Sequence, residues 1–235
     1  MTTLEPDDTS EKVAHLAARA LRPDPASADV PSVAALCTWS RLIPAAEALR
    51  GSGVRLAAVA GDFPAGTAPT GDKVREIEEA LAAGAEEVDA VINRAMLRDG
   101  DLEGGYQEVV ALRRAAGDAT LKVILETGEL EDLHLIRAAS LVALAGGADF
   151  IKTSTGKLVP GATAEATVVM ADAIKDFYAR TAQARGLKVA GGVRTSEDAL
   201  RYIHIVVETL GSEWFAPQRF RIGASSLLDD LIARL

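Results

Sequence analysis

Short apolar segments alternate with longer amphipathic segments along most of this chain. The short segments have the length of buried strands, and the longer ones repeat apolar residues at the spacing of one helix face. The predicted strands are residues 33–38, 55–60, 87–92, 121–126, 149–153, 187–191 and 220–223. The predicted helices are residues 43–50, 73–83, 104–116, 133–145, 164–184, 196–210 and 226–235.

Residues at the predicted helix ends support this alternation. Thr195 places a hydroxyl before the acidic first-turn residues Glu197 and Asp198, which is typical of a helix start. Gly84 and Gly147 follow helical segments, where a left-handed cap favours glycine.

Strands that alternate with helices predict a parallel α/β sheet. Residues 1–4 could be the end of a further strand, which brings the total to eight. We therefore predict a single (β/α)₈ barrel domain over residues 1–235, with its first strand truncated at the N-terminus. The alternative is an open doubly wound sheet, although no G-x-G-x-x-G turn follows an early strand.

Composition excludes several classes of protein. The net charge is −9, so neither nucleic-acid binding nor polybasic docking on a membrane is expected. Hydrophobic residues make up 49% of the chain, which is enough for a sizeable core, but aromatic residues make up only 4%, so Ala, Val, Leu and Ile must fill it. The single cysteine, Cys37, excludes an intrachain disulfide. With a polar, acidic start and no apolar segment of about 18 residues, the expected location is the cytoplasm.

In a (β/α)₈ barrel, catalytic side chains lie at the carboxyl ends of the strands. Lys152 is such a residue, because it follows apolar Phe150 and Ile151 at the end of a predicted strand. An amine in an apolar strand loses hydration, which lowers its pKa and favours the neutral nucleophile. Lys152 is therefore a candidate for Schiff-base chemistry. The alternative is a structural ion pair with a carboxylate such as Asp149.

Lys188 and Asp89 interrupt two other predicted strands. Lys188 lies one strand after Lys152, and two ammonium groups facing one pocket would lower each other's pKa. An inward Asp89 carboxylate would need a cationic partner, and beside the lysine pair it could transfer protons. The alternatives are a Lys188 side chain that points to solvent and an Asp89 that only balances Lys122.

Loops rich in small residues follow the last three predicted strands. The loops after strands seven and eight of such barrels commonly bind phosphate, helped by a helix N-terminus. Glycine allows close approach of the backbone, serine donates a hydroxyl group, and lysine or arginine adds positive charge. The predicted phosphate-binding residues are Gly156, Lys157, Gly191, Gly192, Arg194, Gly223, Ser225 and Ser226.

No metal site is expected from the sequence. His15, His134 and His204 lie in helical segments and share no spacing typical of metal ligands. Cys37 lies within a strand and is interpreted as a small core residue.

The sequence resembles the deoxyribose-phosphate aldolases over nearly its whole length. The most specific segment is Asp-Phe-Ile-Lys-Thr-Ser-Thr-Gly-Lys, residues 149–157. Further matching segments are residues 2–4 with 8–9, 61–66, 87–89, 122–130, 190–195 and 221–228.

This resemblance implies a metal-independent class I aldolase on a (β/α)₈ barrel, with no cofactor. By the same resemblance, Lys152 forms the Schiff base, and Lys188 and Asp89 transfer protons. The resemblance also implies a small phosphorylated substrate and a homo-oligomer, either a dimer or a tetramer.

Two positions depart from the family pattern. Val189 stands where a proline usually follows the second lysine, which frees the φ angle and restores an N–H group. Family members also have an aspartate, on a longer N-terminal segment, just before the residues that match Thr2-Thr3-Leu4. The expectation is therefore a proton relay that lacks one acidic member.

The hypothesis that follows is reversible cleavage of 2-deoxy-D-ribose 5-phosphate to D-glyceraldehyde 3-phosphate and acetaldehyde. One alternative is a Schiff-base aldolase or transaldolase for another sugar phosphate, which would differ in its substrate profile. Another is a barrel that binds sugar phosphates without turnover, which would release no acetaldehyde.

Overall fold

The strands and helices follow the predicted alternation closely in a computed structural model that describes all 235 residues. The strands are β1 (Ala35–Trp39), β2 (Arg55–Ala60), β3 (Glu87–Val91), β4 (Thr120–Ile124), β5 (Phe150–Lys152), β6 (Gly186–Ala190) and β7 (Phe220–Gly223). The α-helices are α1 (Ser10–Leu21), α2 (Thr70–Ala82), α3 (Arg94–Arg98), α4 (Leu102–Ala116), α5 (Thr127–Leu130), α6 (Leu133–Ala145), α7 (Ala164–Thr181), α8 (Ser196–Leu210) and α9 (Leu227–Ile232).

The seven strands form one parallel sheet in sequential order, β1 to β7. Helices connect consecutive parallel strands, so the predicted α/β architecture is confirmed. Since every strand runs in the same direction, all of the carboxyl ends lie at one edge of the sheet. The loops that carry the candidate site residues therefore meet at this edge.

The N-terminal segment pairs with β1 only through a single bridge, between Thr2 and Cys37. Thr3 donates its N–H to the Cys37 carbonyl at 3.0 Å, and Cys37 donates its N–H to the Met1 carbonyl at 3.0 Å. No strand ladder connects this segment to β7. The predicted first strand is thus present only as one bridge to β1, and no strand ladder joins it to β7.

Small aliphatic side chains fill the core, as the scarcity of aromatic residues predicts. One continuous cluster contains 46 buried apolar residues, so the strands and the helices packed against them share a single core. Cys37 is buried among Leu4, Ala57 and Val59, which agrees with its interpretation as a core residue. None of the helices combines the length and the apolar character that a membrane crossing requires.

Three local predictions were wrong or incomplete. Residues 43–50 do not form a regular α-helix; Ser40–Leu49 is 3₁₀-helical with a break at Ala46, in a segment where Pro44 lacks an N–H donor. The last helix is shorter than predicted and ends at Ile232. The short helices α3 and α5 were not predicted, because one turn of helix shows no hydrophobic period.

Thr195 is the N-cap residue of α8, as the sequence predicts. Its hydroxyl group accepts the Asp198 N–H at 3.2 Å, and the Asp198 carboxylate accepts the Thr195 N–H at 3.1 Å. We expect Thr195→Ala to lower the free energy of unfolding by about 1 kcal/mol, because one helix N–H loses its acceptor. Urea denaturation measures this change. Thr195→Ser keeps the hydroxyl and serves as the matched control, and equal losses in both variants would contradict the capping role.

Candidate active site

Asp89 lies at the centre of a buried cluster of charged side chains inside the sheet. Its Oδ2 atom accepts hydrogen bonds from Lys152 Nζ at 2.7 Å and from Lys188 Nζ at 2.6 Å. Its Oδ1 atom lies 3.0 Å from Lys122 Nζ. All four side chains are buried, so one carboxylate holds three lysine amines away from solvent.

Strand register explains why these residues meet. Asp89 on β3 pairs with Lys122 on β4, and Lys152 on β5 pairs with Lys188 on β6. Paired residues of neighbouring parallel strands point to the same face of a sheet. The curvature of the sheet then brings β3 opposite β5 and β6, which joins the two pairs into one cluster.

A second layer of charge lies below Asp89 and was not predicted. Glu87 is within 2.6 Å of Lys122 Nζ and accepts a hydrogen bond from Arg221 at 3.2 Å. Glu87 and Asp89 are two residues apart on β3, so strand alternation places both side chains on one face. The sequence shows this alternation, whereas the contact between Glu87 and Arg221 on β7 depends on the curvature of the sheet.

The structure shows which groups the three residues contact, and the carboxylate that pairs with Lys152 is Asp89. Asp149 binds Arg113 and Arg185 at 2.6 and 2.9 Å, so it is not the partner of Lys152. Lys188 is buried and points inward rather than to solvent. Asp89 does balance Lys122, but it also binds both candidate lysines.

The pKa values of the two lysines that share Asp89 are shifted in opposite directions. Burial lowers the pKa of Lys152 below its ordinary value, and the Lys188 ammonium lowers it further, against the opposing effect of Asp89. Burial also acts to lower the pKa of Lys188, but Asp89 outweighs it and the net shift is upward. Burial opposes ionisation of Asp89, yet Lys122, Lys152 and Lys188 together keep its pKa well below the ordinary range. The cluster therefore contains an ionised carboxylate, a protonated Lys188 and a Lys152 amine that loses its proton more readily.

A cavity of about 330 Å³ opens above this cluster at the carboxyl edge of the sheet. Lys152 and Lys188 reach its floor, and Asp89 lies beneath them. The structure brings the eight predicted phosphate-binding residues together in its wall, namely Gly156, Lys157, Gly191, Gly192, Arg194, Gly223, Ser225 and Ser226.

The loop after β6 requires glycine at both of its first positions. Gly191 and Gly192 have φ angles of 90° and 85°, in the region that side chains rarely adopt. A Cβ atom on Gly191 would also lie only 2.5 Å from Ser154 Oγ. Gly192 also lines the cavity, and its N–H makes no hydrogen bond within the chain.

Buried hydroxyl groups hold the loop after β5 against β6. Thr153 Oγ1 and Ser154 Oγ donate to the Ala190 carbonyl at 3.0 and 2.6 Å. Ser154 Oγ also accepts the N–H of Gly156 at 3.2 Å. These bonds fix Gly156 and Lys157 relative to the lysines on the cavity floor.

The N-terminal segment contributes cavity residues that were not predicted. Thr2, Thr3, Glu5 and Lys12 also line the cavity. Residues 2–4 match the family pattern, but nothing in the sequence indicates that this segment reaches the cavity, which it does by pairing with β1.

Other polar residues at strand ends have structural partners. Asp62 accepts the N–H groups of Thr67 and Ala68 at 2.8 and 3.0 Å and so closes its own loop. Asn93 caps α3, and Glu126 accepts the Thr155 N–H at 3.0 Å. Val189, the departure from the family pattern, is buried in β6 opposite Ile222.

Comparisons with known proteins agree with this geometry. The family model described as "DeoC/LacD family aldolase" matches residues 1–232. Deoxyribose-phosphate aldolases of Mus musculus and Homo sapiens are 43% and 42% identical over 242 residues, and each alignment covers 98% of this chain and 76% of the relative. The tetrameric deoxyribose phosphate aldolase structure from Aeropyrum pernix is 25% identical with a TM-score of 0.78, covering 100% of this chain and 89% of that one. Since both the sequence and the fold match over the full length, the chain is a member of the DeoC/LacD family of aldolases.

Proposed function

We propose that this enzyme cleaves 2-deoxy-D-ribose 5-phosphate reversibly to D-glyceraldehyde 3-phosphate and acetaldehyde, with Lys152 as the Schiff-base nucleophile. One observation supports these roles above all others. Lys152 and Lys188 lie on the floor of one cavity and both donate hydrogen bonds to Asp89 Oδ2, at 2.7 and 2.6 Å. The relatives named as deoxyribose-phosphate aldolases support the choice of substrate.

The reaction begins when the Lys152 amine attacks the aldehyde carbon of the open-chain sugar. The carbinolamine loses water and becomes a protonated imine. The bond between C2 and C3 then breaks, its electrons move into the imine to give an enamine, and the C3 hydroxyl loses its proton as D-glyceraldehyde 3-phosphate forms. Protonation of the enamine and hydrolysis release acetaldehyde and restore the Lys152 amine.

Lys188 and Asp89 transfer the protons in these steps, with water as the carrier. The raised pKa of Lys188 keeps this side chain protonated, so its ammonium has a proton to donate, and Asp89 keeps that ammonium close to Lys152. General acid–base catalysis of this kind is worth about 10²- to 10⁴-fold in rate.

The phosphate group of the substrate binds in the glycine and serine loops of the cavity wall. Lys157 and Arg194 supply positive charge, and Gly192 offers an unpaired N–H. Anchoring the phosphate there directs the aldehyde at the other end of the sugar toward Lys152, which lowers the entropic part of the barrier.

Reduction of the imine tests this proposal directly. Sodium borohydride added together with 2-deoxyribose 5-phosphate is expected to leave one stable adduct, which peptide mass mapping locates on Lys152. A coupled assay for acetaldehyde release establishes turnover in the same preparation. An adduct on another lysine, or phosphate-dependent thermal stabilisation without acetaldehyde release, would overturn the proposal.

Lys188→Met is expected to move imine formation to higher pH. Removing the Lys188 ammonium takes away a charge that lowers the pKa of Lys152, and it leaves Asp89 to favour the Lys152 ammonium. Because only the neutral amine attacks an aldehyde, the pH of half-maximal trapping rises. The measurement is the rate of cyanoborohydride trapping of acetaldehyde across pH, with Lys175→Met on the exposed face of α7 as the control. An unshifted or acid-shifted profile would remove Lys188 from this role.

We also propose that the enzyme forms a homo-oligomer. The tetrameric relative from Aeropyrum pernix supports this proposal, as does the exposed aromatic side chain of Phe215.

A further inference from the structure

Glu5 is the only acidic residue that lines the catalytic cavity. Its Oε1 atom lies 3.1 Å from Lys157 Nζ, in an ion pair between the N-terminal segment and the loop after β5. The other charged residues of the cavity wall and floor are cations: Lys12, Lys152, Lys157, Lys188 and Arg194. A carboxylate in a cationic cavity of this kind competes with any anionic group that binds there.

Hydrogen bonds hold the backbone of Glu5 on both sides, so its carboxylate keeps a defined position at the cavity. The Glu5 N–H donates to Asp8 Oδ2 at 2.9 Å, and the Glu5 carbonyl accepts the indole N–H of Trp39 at 2.9 Å. Asp8 is itself buried and accepts the Thr3 hydroxyl at 2.7 Å.

The two cations near Glu5 are held with different strength. Lys12 pairs with the buried side chain of Asp8, and this partner raises the pKa of Lys12. Lys157 pairs with a Glu5 side chain that is 62% exposed. Exposed ion pairs contribute little stability, and Asp8 is buried whereas Glu5 is not, so the Lys157–Glu5 pair is the easier of the two to exchange.

We propose that Glu5 is a specificity-determining residue that holds Lys157 until a phosphate group displaces it. The proposal rests on the proposed function, because it requires that the substrate phosphate binds Lys157. Glu5 neutralises Lys157 before substrate binds. A phosphate group carries up to two negative charges, against one on the Glu5 carboxylate, and therefore displaces Glu5 from Lys157. The exchange weakens phosphate binding relative to a cavity without Glu5, and it returns Lys157 to a partner when the phosphorylated product leaves.

Calorimetric titration with inorganic phosphate tests the exchange without requiring turnover. Glu5→Gln is expected to strengthen phosphate binding about two- to fivefold, the scale of an exposed ion pair. In the steady state, the ratio of kcat/KM for 2-deoxyribose 5-phosphate to that for unphosphorylated 2-deoxyribose is expected to rise by the same factor. Glu47→Gln removes a comparably exposed partner of Arg50 away from the cavity and is the matched control.

A double-mutant cycle with Lys157→Met identifies the mechanism. If Glu5 acts by exchange at Lys157, the Glu5→Gln change should alter phosphate affinity much less in the Lys157→Met background than in the unmodified enzyme. An equal effect in both backgrounds, no effect in either, or no phosphate binding to the unmodified enzyme would overturn the proposal. Borohydride trapping on Lys152 is independent of these titrations, so a failure of the aldolase assignment is distinguishable from a failure of the exchange.

Discussion

The Lys152→Leu variant is expected to form no borohydride-reducible adduct and to lose at least about 10⁴-fold in kcat/KM for 2-deoxyribose 5-phosphate. Without the amine there is no imine to accept the electrons of the C2–C3 bond, and no other residue supplies that function. Leucine fills much of the volume of the buried lysine stem. The substitution removes one of the three lysine side chains around Asp89, but Lys122 and Lys188 still balance the negative charge of this carboxylate. The variant should therefore remain folded.

Two measurements separate loss of chemistry from loss of structure. Circular dichroism and thermal unfolding should match the unmodified protein closely, and calorimetry should still detect inorganic phosphate binding. Lys175→Leu, at an exposed position of α7, is the matched control and should retain full activity. Cleavage activity within tenfold of the unmodified enzyme in Lys152→Leu would contradict the assignment of the nucleophile.

The Asp89→Asn variant is expected to lose about 3–5 kcal/mol of unfolding free energy and about 10²- to 10⁴-fold in kcat. The change removes the negative charge that three buried lysines share, and Glu87 remains as the only acid beside them. The lysines can release protons instead of remaining charged, which limits the cost. Guanidinium denaturation and steady-state kinetics measure the two effects.

The loss of stability should depend on pH in a defined direction. The folded state holds the pKa of Asp89 well below its ordinary value, so this carboxylate stabilises the fold fully above the unfolded pKa of about 4. Its contribution decreases as the pH falls through the lower folded-state pKa. The difference between the unmodified protein and Asp89→Asn should therefore be largest near neutral pH and shrink in acid. Asp172→Asn, on the surface of α7, is the control, and a difference that grows in acid would contradict the ionised state of Asp89.

The catalytic candidates were identifiable in the sequence because burying a charged side chain in an apolar strand costs free energy unless the side chain has a partner. Lys152, Lys188 and Asp89 each interrupt a strand that is otherwise apolar, and the structure brings all three within hydrogen-bond distance. The family resemblance added the reaction. The small-residue loops were equally visible, because their glycines and serines follow strand ends, and all eight of the residues named from sequence line the cavity.

Partners from distant strands could not be predicted in the same way. Lys122 is an exception, because it lies on the neighbouring strand β4 and the sequence already offers it as a partner for Asp89. Arg221 reaches Glu87 across 134 residues of sequence, and Glu5 reaches Lys157 across 152. Such contacts depend on the curvature of the sheet and on the position of the N-terminal segment, which leave no periodic signal.

Sequence alone determined the order of strands and helices, the α/β class, and the residue types at the carboxyl ends of the strands. These properties are local, because they follow from hydrophobic period, capping and the cost of burying charge. Tertiary structure alone decided which lysine shares which carboxylate, and therefore the opposite pKa shifts of Lys152 and Lys188. It also decided that the N-terminal segment brings a carboxylate to the phosphate side of the cavity. Both outcomes depend on distances of a few ångströms between groups on separate strands, and electrostatic interactions in a buried site are determined at that scale.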